Sequence, residues 1–372
     1  MFGSIRRIIK FILGGHEDIY ALDHAILNVA VPPEHMWMNM GYWKVSTLYF
    51  QYLGMDGHFV NIAHFVHCLQ DTKSFPNACE ALLEKVLVTA GLLNQDKTPV
   101  TETLSEESEQ GVSFKLIDVG IGCGDQSLYL TRRLHRSTTT SSGNSNVRDT
   151  TLVPLFDSYI GINITSAQAN LARHRLETNA GWTSDVKIFA ADAARPASWD
   201  QTLNETIFGA GSPKPTLETS SAPLSIKEHV WLLGLDTLYH FQPSRIPLFE
   251  SAYKDMNASI MAFDLLLGDS LSLWDKLRLR LICIVAGIPY ANLMTKKEYE
   301  GMLISVGYAQ DNIELVDISD HTFAGIADFL RVKEAELNKF GMTMGRLKMP
   351  GRIFDWWAKS GVIKGYVVVA RR

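Results

Sequence analysis

The sequence contains no uninterrupted apolar run of the roughly 18 residues that a membrane-crossing helix needs, so no such helix is expected. Cysteine is scarce. The four present, Cys68, Cys79, Cys123 and Cys283, form no Cys-x-x-Cys pair and have no histidine at zinc spacing, which argues against a metal site or a disulfide framework and for a reducing compartment. Charge of one sign is also missing. A formal net charge of -5 provides no global basic field, so nucleic acid is not an expected partner. Acidic residues are absent before Glu17, where Phe2, Ile5, Ile8, Ile9 and Ile12 share one helical face and Arg6, Arg7 and Lys10 the other. Three readings of that segment stay open: a packed helix, a membrane-surface helix, or a mitochondrial targeting segment in an otherwise cytoplasmic protein. The 372 residues suffice for one α/β domain with insertions and a cap.

Phe114-Lys-Leu-Ile-Asp-Val-Gly-Ile-Gly-Cys-Gly-Asp-Gln-Ser127 dominates what is there. A short β-branched run gives way to Gly120, Gly122 and Gly124, and helical spacing resumes at Ser127. A strand, a glycine turn and a helix predict a ligand site at the strand's carboxyl end. The spacing lacks the third glycine of a dinucleotide-binding Gly-x-Gly-x-x-Gly, which disfavours a nicotinamide dehydrogenase. Asp118 would repel a pyrophosphate and suits a cationic ligand. The stretch resembles motif I, Asp-x-Gly-x-Gly-x-Gly, of the class I S-adenosylmethionine-dependent methyltransferases, small-molecule type, related to the sterol, tocopherol and phosphoethanolamine groups.

That resemblance implies an α/β, Rossmann-like, seven-stranded sheet, mostly parallel with an antiparallel C-terminal edge strand, and helices on both faces. It implies S-adenosylmethionine as cofactor, held by Asp118, Gly120, Gly122, Gly124 and Gln126. A second strand, Tyr159 to Asn163, delivers Asn163, Ile164 and Gln168 in a Gly-Ile-Asn-Ile-Thr-x-x-Gln segment like that of the related small-molecule enzymes. Asn163 stands where an acid usually accepts both ribose hydroxyls. A third strand, Val186 to Ala190, leads to Asp192 and Ala193, with Asp192 read as the contact for the adenine amino group or as a helix cap. A fourth, His229 to Leu235, leads to Asp236 and His240. By resemblance these face the transferred methyl: His240 as base, Asp236 orienting it or holding a cationic acceptor. A cap and a half-buried histidine are their bland readings.

Residues 1–95 are expected to form a helical extension and 96–372 the methyltransferase domain. Loop insertions are expected at about 136–152 and 203–226, rich in Ser, Thr, Gly and Pro, and a lid at about 265–295. Gly41-Tyr42-Trp43 resembles a segment that covers the cofactor in the related groups, making Tyr42 a candidate catalytic or covering residue; core packing is the alternative. The lid region interleaves Lys276, Arg278 and Arg280 with leucines, so peripheral membrane contact through it or through the N-terminal helix is an alternative to a plain substrate lid. A strand at 313–318, a helix from about Ala324 to Phe340 and a terminal strand from Gly365 close the sheet; the Pro-Gly-Gly hairpin usual before the fifth strand is replaced by Met256-Asn-Ala258. His321 reads equally as a pocket residue or a surface one. The expected activity is methyl transfer to a small, hydrophobic or lipid-like acceptor. A cyclase-type enzyme or a non-catalytic cofactor-binding regulator are the alternatives on the same fold. Acceptor identity, the methylated element and oligomeric state have no signature in the sequence.

Overall fold

In the computed structural model, which describes residues 33–46, 52–53, 59–60, 69–70, 74–100, 112–141, 148–179, 185–209 and 227–372, the main sheet is registered on one central strand. The amphipathic segment 2–13 and the loop 210–226 lie outside the described residues. Helix α1 (Phe75–Thr89) precedes that strand and begins where the Ser74 hydroxyl accepts the Asn77 N–H at 3.3 Å, with Pro76 in the first turn. β1 (Val112–Val119) then runs to the glycine turn, and α2 (Asp125–Arg132) starts from Gly124. Side chains of β1 are buried from Leu116 onward, because strands on both edges and helices on both faces leave no solvent-facing row.

β2 (His135–Ser141) and β3 (Arg148–Pro154) pair antiparallel. This corrects the loop expected at 136–152. The Ser/Thr-rich composition suggests disorder, but β-branched threonine also favours an extended backbone, and Thr138 and Thr139 stand in register with Thr151 and Thr150. β4 (Ser158–Asn163), α3 (Ser166–Thr178), β5 (Asp185–Ala190) and α4 (Gln201–Phe208) follow. Helix α4 occupies the start of the second expected loop: Asp200 caps it by accepting the Leu203 N–H at 2.8 Å, and Leu203 and Ile207, four apart, bury one face.

The remaining elements are β6 (Lys227–Leu235), α5 (Ile246–Lys254), β7 (Ala258–Leu267), α6 (Leu273–Ala286), α7 (Lys296–Val306), β8 (Ile313–Asp317), α8 (Phe323–Asn338), α9 (Lys348–Ser360) and β9 (Ile363–Ala370). Helix α9 has no counterpart in the sequence reading. From the sequence, the apolar run Ser259 to Phe263 predicts a fifth strand ending in Asp264; β7 instead runs on to Leu267, which places that carboxylate inside the sheet.

The seven strands lie in the order β8-β9-β7-β6-β1-β4-β5. β9 is antiparallel to both neighbours, β7 and β8, and the pairings from β7 through to β5 are parallel. Leu116 joins the core on one face, with α1, α8 and α9, while Ile117 and Val119 join the core on the other, with α4, α5 and α7. In register, Val119 faces Ile162 on one side and Gly234 on the other, and Asn163 faces Ala190. The carboxyl ends of β5, β4, β1 and β6 therefore finish along one rim, and in an open α/β sheet that rim is where ligands bind.

Candidate active site

A cleft of about 410 Å³ opens on that rim, lined among others by Gly120, Asn163, Asp192, Ala193, Thr237 and His240. The glycine turn after β1 meets it at Gly120. Gly120, Gly122 and Gly124 have φ of 77°, 56° and 91°, left-handed values that a side chain strains against. Any Cβ on Gly120 would stand 2.5 Å from Thr237 Oγ1, so this glycine is required for the turn to pack on the loop after β6. Gly122 differs: no heavy atom lies within 4 Å of where its Cβ would be. Among the described residues its bareness serves no packing neighbour, and it leaves space on the rim.

Asp118 does not reach that space. It is fully buried, accepting the Gln126 side-chain N–H groups at 2.7 and 2.9 Å and the Tyr159 hydroxyl at 2.6 Å. Burial raises its carboxyl to about 7, against the lowering effect of Tyr159 and Gln126. Contact between Asp118 and a ligand is thus indirect, through the positions of Gln126 and the glycine turn. Asn163 is likewise engaged: its Oδ1 accepts the Gly122 N–H at 3.3 Å, and its Nδ2 donates to Gln168 Oε1 at 2.9 Å. It therefore ties the end of β4 to the turn after β1. Asp192 accepts the Ala194 N–H at 2.9 Å in a local turn and has Arg195 Nε at 3.6 Å; it caps no helix, since Arg195 holds the N-cap of the short segment Pro196–Ser198, and its side chain stays partly open to the cleft. Ile164 is largely exposed, and Leu235 is buried behind the rim.

Asp236 and His240 do not form a pair. Asp236, at a left-handed φ of 58°, accepts the Met40 N–H at 2.8 Å and the Tyr239 hydroxyl at 2.9 Å. The chain turns through a short 3-10 segment, Leu238–His240, so the residue presented to the Asp236 carboxylate is Tyr239, three positions on. This corrects the expected orientation of His240 by Asp236. The imidazole borders the cleft with its ring against Tyr239, centroids 4.4 Å apart, and partial burial lowers its pKa from the usual 6.5.

Residues 34–43 strap across this rim. Arg175 donates to the Glu34 carbonyl at 2.9 Å and pairs with Asp125 at 2.7 Å, and the Met36 N–H reaches both Asp125 oxygens at 3.2 Å. Met40 binds Asp236, the Tyr42 N–H donates to the Ala78 carbonyl at 2.8 Å, and the Trp43 N–H donates to the His321 carbonyl at 2.6 Å. Trp43 is fully buried and packs on Gly325 of α8, where a Cβ would lie 2.2 Å from its ring. Trp43 is therefore the anchor of the strap. Tyr42 lies half-buried against His321, ring centroids 4.7 Å apart, with its phenol pKa raised by desolvation. Neither Tyr42 nor His321 borders the cleft that His240 lines. Asp125, Arg175, Tyr159 and Thr237 escaped the sequence reading; only Asp125, inside the glycine motif, carried a local signal.

Because Asp236 is pushed up to about 7 by burial, it keeps its proton longer when folded than when unfolded. The stability it contributes is complete below the ordinary carboxylate range near 3.8 and is lost as pH rises through about 7. An amide in its place can accept from Met40 and donate to the Tyr239 oxygen. Asp236→Asn is therefore expected to gain on the native protein between pH 5 and pH 8, by on the order of 3 kcal/mol in urea unfolding. An equal gap at both pH values would show that Asp236 titrates alike folded and unfolded.

No protein-family model and no curated protein matches this sequence. Among solved structures it is similar to the cyclopropane synthase MmaA2 from Mycobacterium tuberculosis, at 14% identity and a TM-score of 0.46 over 79% of this chain and 85% of that one. It is similar to the cyclase SpnF at 12% identity and a TM-score of 0.49, over 95% and 94%. A third is the geranyl diphosphate C-methyltransferase from Streptomyces coelicolor A3(2), described with geranyl diphosphate, Mg2+ and S-adenosylhomocysteine, at 13% identity and a TM-score of 0.45 over 80% and 79%. The fold itself, defined by the strand order and registers above, is a Rossmann-like α/β sheet of seven strands, parallel from β7 to β5, with the C-terminal strand β9 antiparallel to both its neighbours.

Proposed function

We propose that the protein binds S-adenosylmethionine on the carboxyl rim of β5, β4, β1 and β6 and transfers its methyl to a small hydrophobic or lipid-like acceptor. The observation that carries this reading is the open cleft in which Gly120 of the glycine turn, Asn163, Asp192 and His240, from four successive strand ends, meet. The residues fit the group. Asp192 keeps a partly exposed carboxylate suited to an exocyclic amine, Ile162, Ile164 and Ala193 offer apolar walls, and Gly122 leaves room where a side chain would stand. When bound, the cofactor supplies an electrophilic methyl on a sulfonium. The protein's own work is then positioning and one proton: the residues of the rim hold the cofactor against the cleft wall, and neutral His240 takes the proton that an alcohol, enolisable carbon or ammonium-type acceptor must lose.

Titration calorimetry with S-adenosylmethionine and with S-adenosylhomocysteine tests the binding half. Micromolar affinity for both is expected. Absence of heat with either, alongside stabilisation by NAD, would sink it. Gly122→Val is expected to weaken binding at least 100-fold with the sheet intact by circular dichroism, since its side chain enters empty space at the rim; undiminished affinity would move the cofactor elsewhere. Incubation of the protein with methyl-labelled cofactor and a lipid extract tests transfer. A product carrying the label is expected, whereas cyclisation would leave product mass unchanged.

A further inference from the structure

Helix α6 is apolar on two opposite faces, and only one of them is covered. Leu279 and Cys283 pack into the core. Leu273, Trp274, Leu277, Leu281, Ile284 and Val285 face outward, with Leu273 84%, Trp274 79% and Ile284 77% exposed. At about 100° per residue these six fall within a single arc of about 120°, a continuous stripe along a helix about 21 Å long. Stripes of this size and continuity on a protein surface mark contact sites, whereas scattered exposed leucines do not.

Charge identifies the occupant. On the same projection Arg278 borders one edge of the arc, and Lys276 and Arg280 border the other. Asp275, the acid of this helix, sits in the first turn, where its backbone N–H and carboxylate are engaged by Ser272. Guanidinium stems lie over rings at both borders, Arg278 over Trp356 at 4.1 Å and Arg280 over Tyr290 at 5.1 Å. This fixes the cations beside the stripe. A second copy of α6 laid on the stripe would bring cations against cations. So would the chain's own segment 2–13, whose charged residues are Arg6, Arg7 and Lys10. An anionic lipid surface satisfies both the apolar arc and its basic borders. Among the described residues no helix is long and apolar enough to cross a membrane, so the contact is one of lying in the interface.

We infer that α6 is a docking helix for an anionic phospholipid surface, seated with its Trp274–Ile284 stripe at the headgroup boundary. Its position serves the cleft. The turn after it ends at Asn292, whose side-chain N–H groups donate to the carbonyls of Tyr239 at 3.1 Å and Phe241 at 2.6 Å, the residues on either side of His240. A surface held by α6 thus lies one short turn from the wall of the cleft.

Flotation of the full chain with vesicles of phosphatidylcholine containing three tenths phosphatidylserine, at low and physiological salt, tests this directly. Binding is expected to these vesicles and to fall at least 10-fold on pure phosphatidylcholine. Trp274→Glu with Ile284→Glu should lower it at least 10-fold, and Lys276→Glu with Arg280→Glu should remove its dependence on phosphatidylserine. All four side chains are exposed, so the melting temperature should stay unchanged. The thermal shift with S-adenosylmethionine should also be unaltered, which separates this docking from the proposed activity. No flotation of the native chain, or flotation untouched by the α6 substitutions, overturns the inference. So does a concentration-dependent dimer by light scattering that the same substitutions abolish, since a second copy would then cover the stripe.

Discussion

His240→Ala is expected to lower turnover by about 100-fold or more while leaving cofactor affinity nearly unchanged, the size of effect that removal of a general base produces. The imidazole borders the cleft and meets no carboxylate, so its function does not depend on a charged neighbour. Partial burial disfavours its charged form and moves its titration below the usual 6.5. The base is therefore neutral, and competent, through neutral pH, and the rate should fall only on the acid side of that range. A second limb near pH 7 is expected from Asp236, because protonation there alters the tie to Met40 and hence the strap. The two are separable: the limb near 7 should survive in His240→Ala and vanish in Asp236→Asn. Full activity in His240→Ala with an unchanged pH profile would remove the histidine from the mechanism and point to an acceptor that arrives already deprotonated.

Arg245→Met is expected to cost about 3–5 kcal/mol of stability, the largest structural effect of any single substitution considered. Arg245 and Asp264 are both completely buried and form an ion pair, to which Tyr299 adds a hydroxyl donated to Asp264 at 2.9 Å. Burial raises the Asp264 carboxyl while Arg245 lowers it; without the guanidinium the first effect stands alone. Removing one partner leaves an uncompensated charge in the sheet, whereas replacing both by apolar groups does not. Arg245→Met with Asp264→Leu should accordingly recover much of the loss in urea unfolding. Equal costs for the single and double substitutions would show that the pair does not govern stability here. The effect reaches the cleft as well, since Arg245 also donates to the Asn292 carbonyl, and Asn292 holds the Tyr239 and Phe241 carbonyls.

Periodicity and local chemistry by themselves determined most of the main-sheet strands, but not the β2–β3 hairpin, helix α9 or the end of β7. Short β-branched runs closed by small or polar residues marked β1, β4, β5 and β6, and three glycines two apart required the left-handed turn that the structure shows. Asn163 and Asp192 were legible as rim residues because they stand at or just past the end of an apolar strand, and His240 because it lies within five residues of one. The basic and apolar character of α6 was legible too, since it is a property of one helix. Only the tertiary structure decided what these groups touch. Asp118 is satisfied by Tyr159, 41 positions away, and Asp236 by Met40, 196 away, and no spacing rule reaches that far. Asp264 reads as a strand end because a lone carboxylate interrupts the apolar run that Leu265 to Leu267 resume. It lies inside the sheet because Arg245, at the N-cap of α5, and Tyr299, on α7, make its burial tolerable. Which of the two apolar faces of α6 is covered was likewise undetermined by its sequence: either face satisfies the same periodicity, and packing against the core selects one and leaves the other to its surroundings.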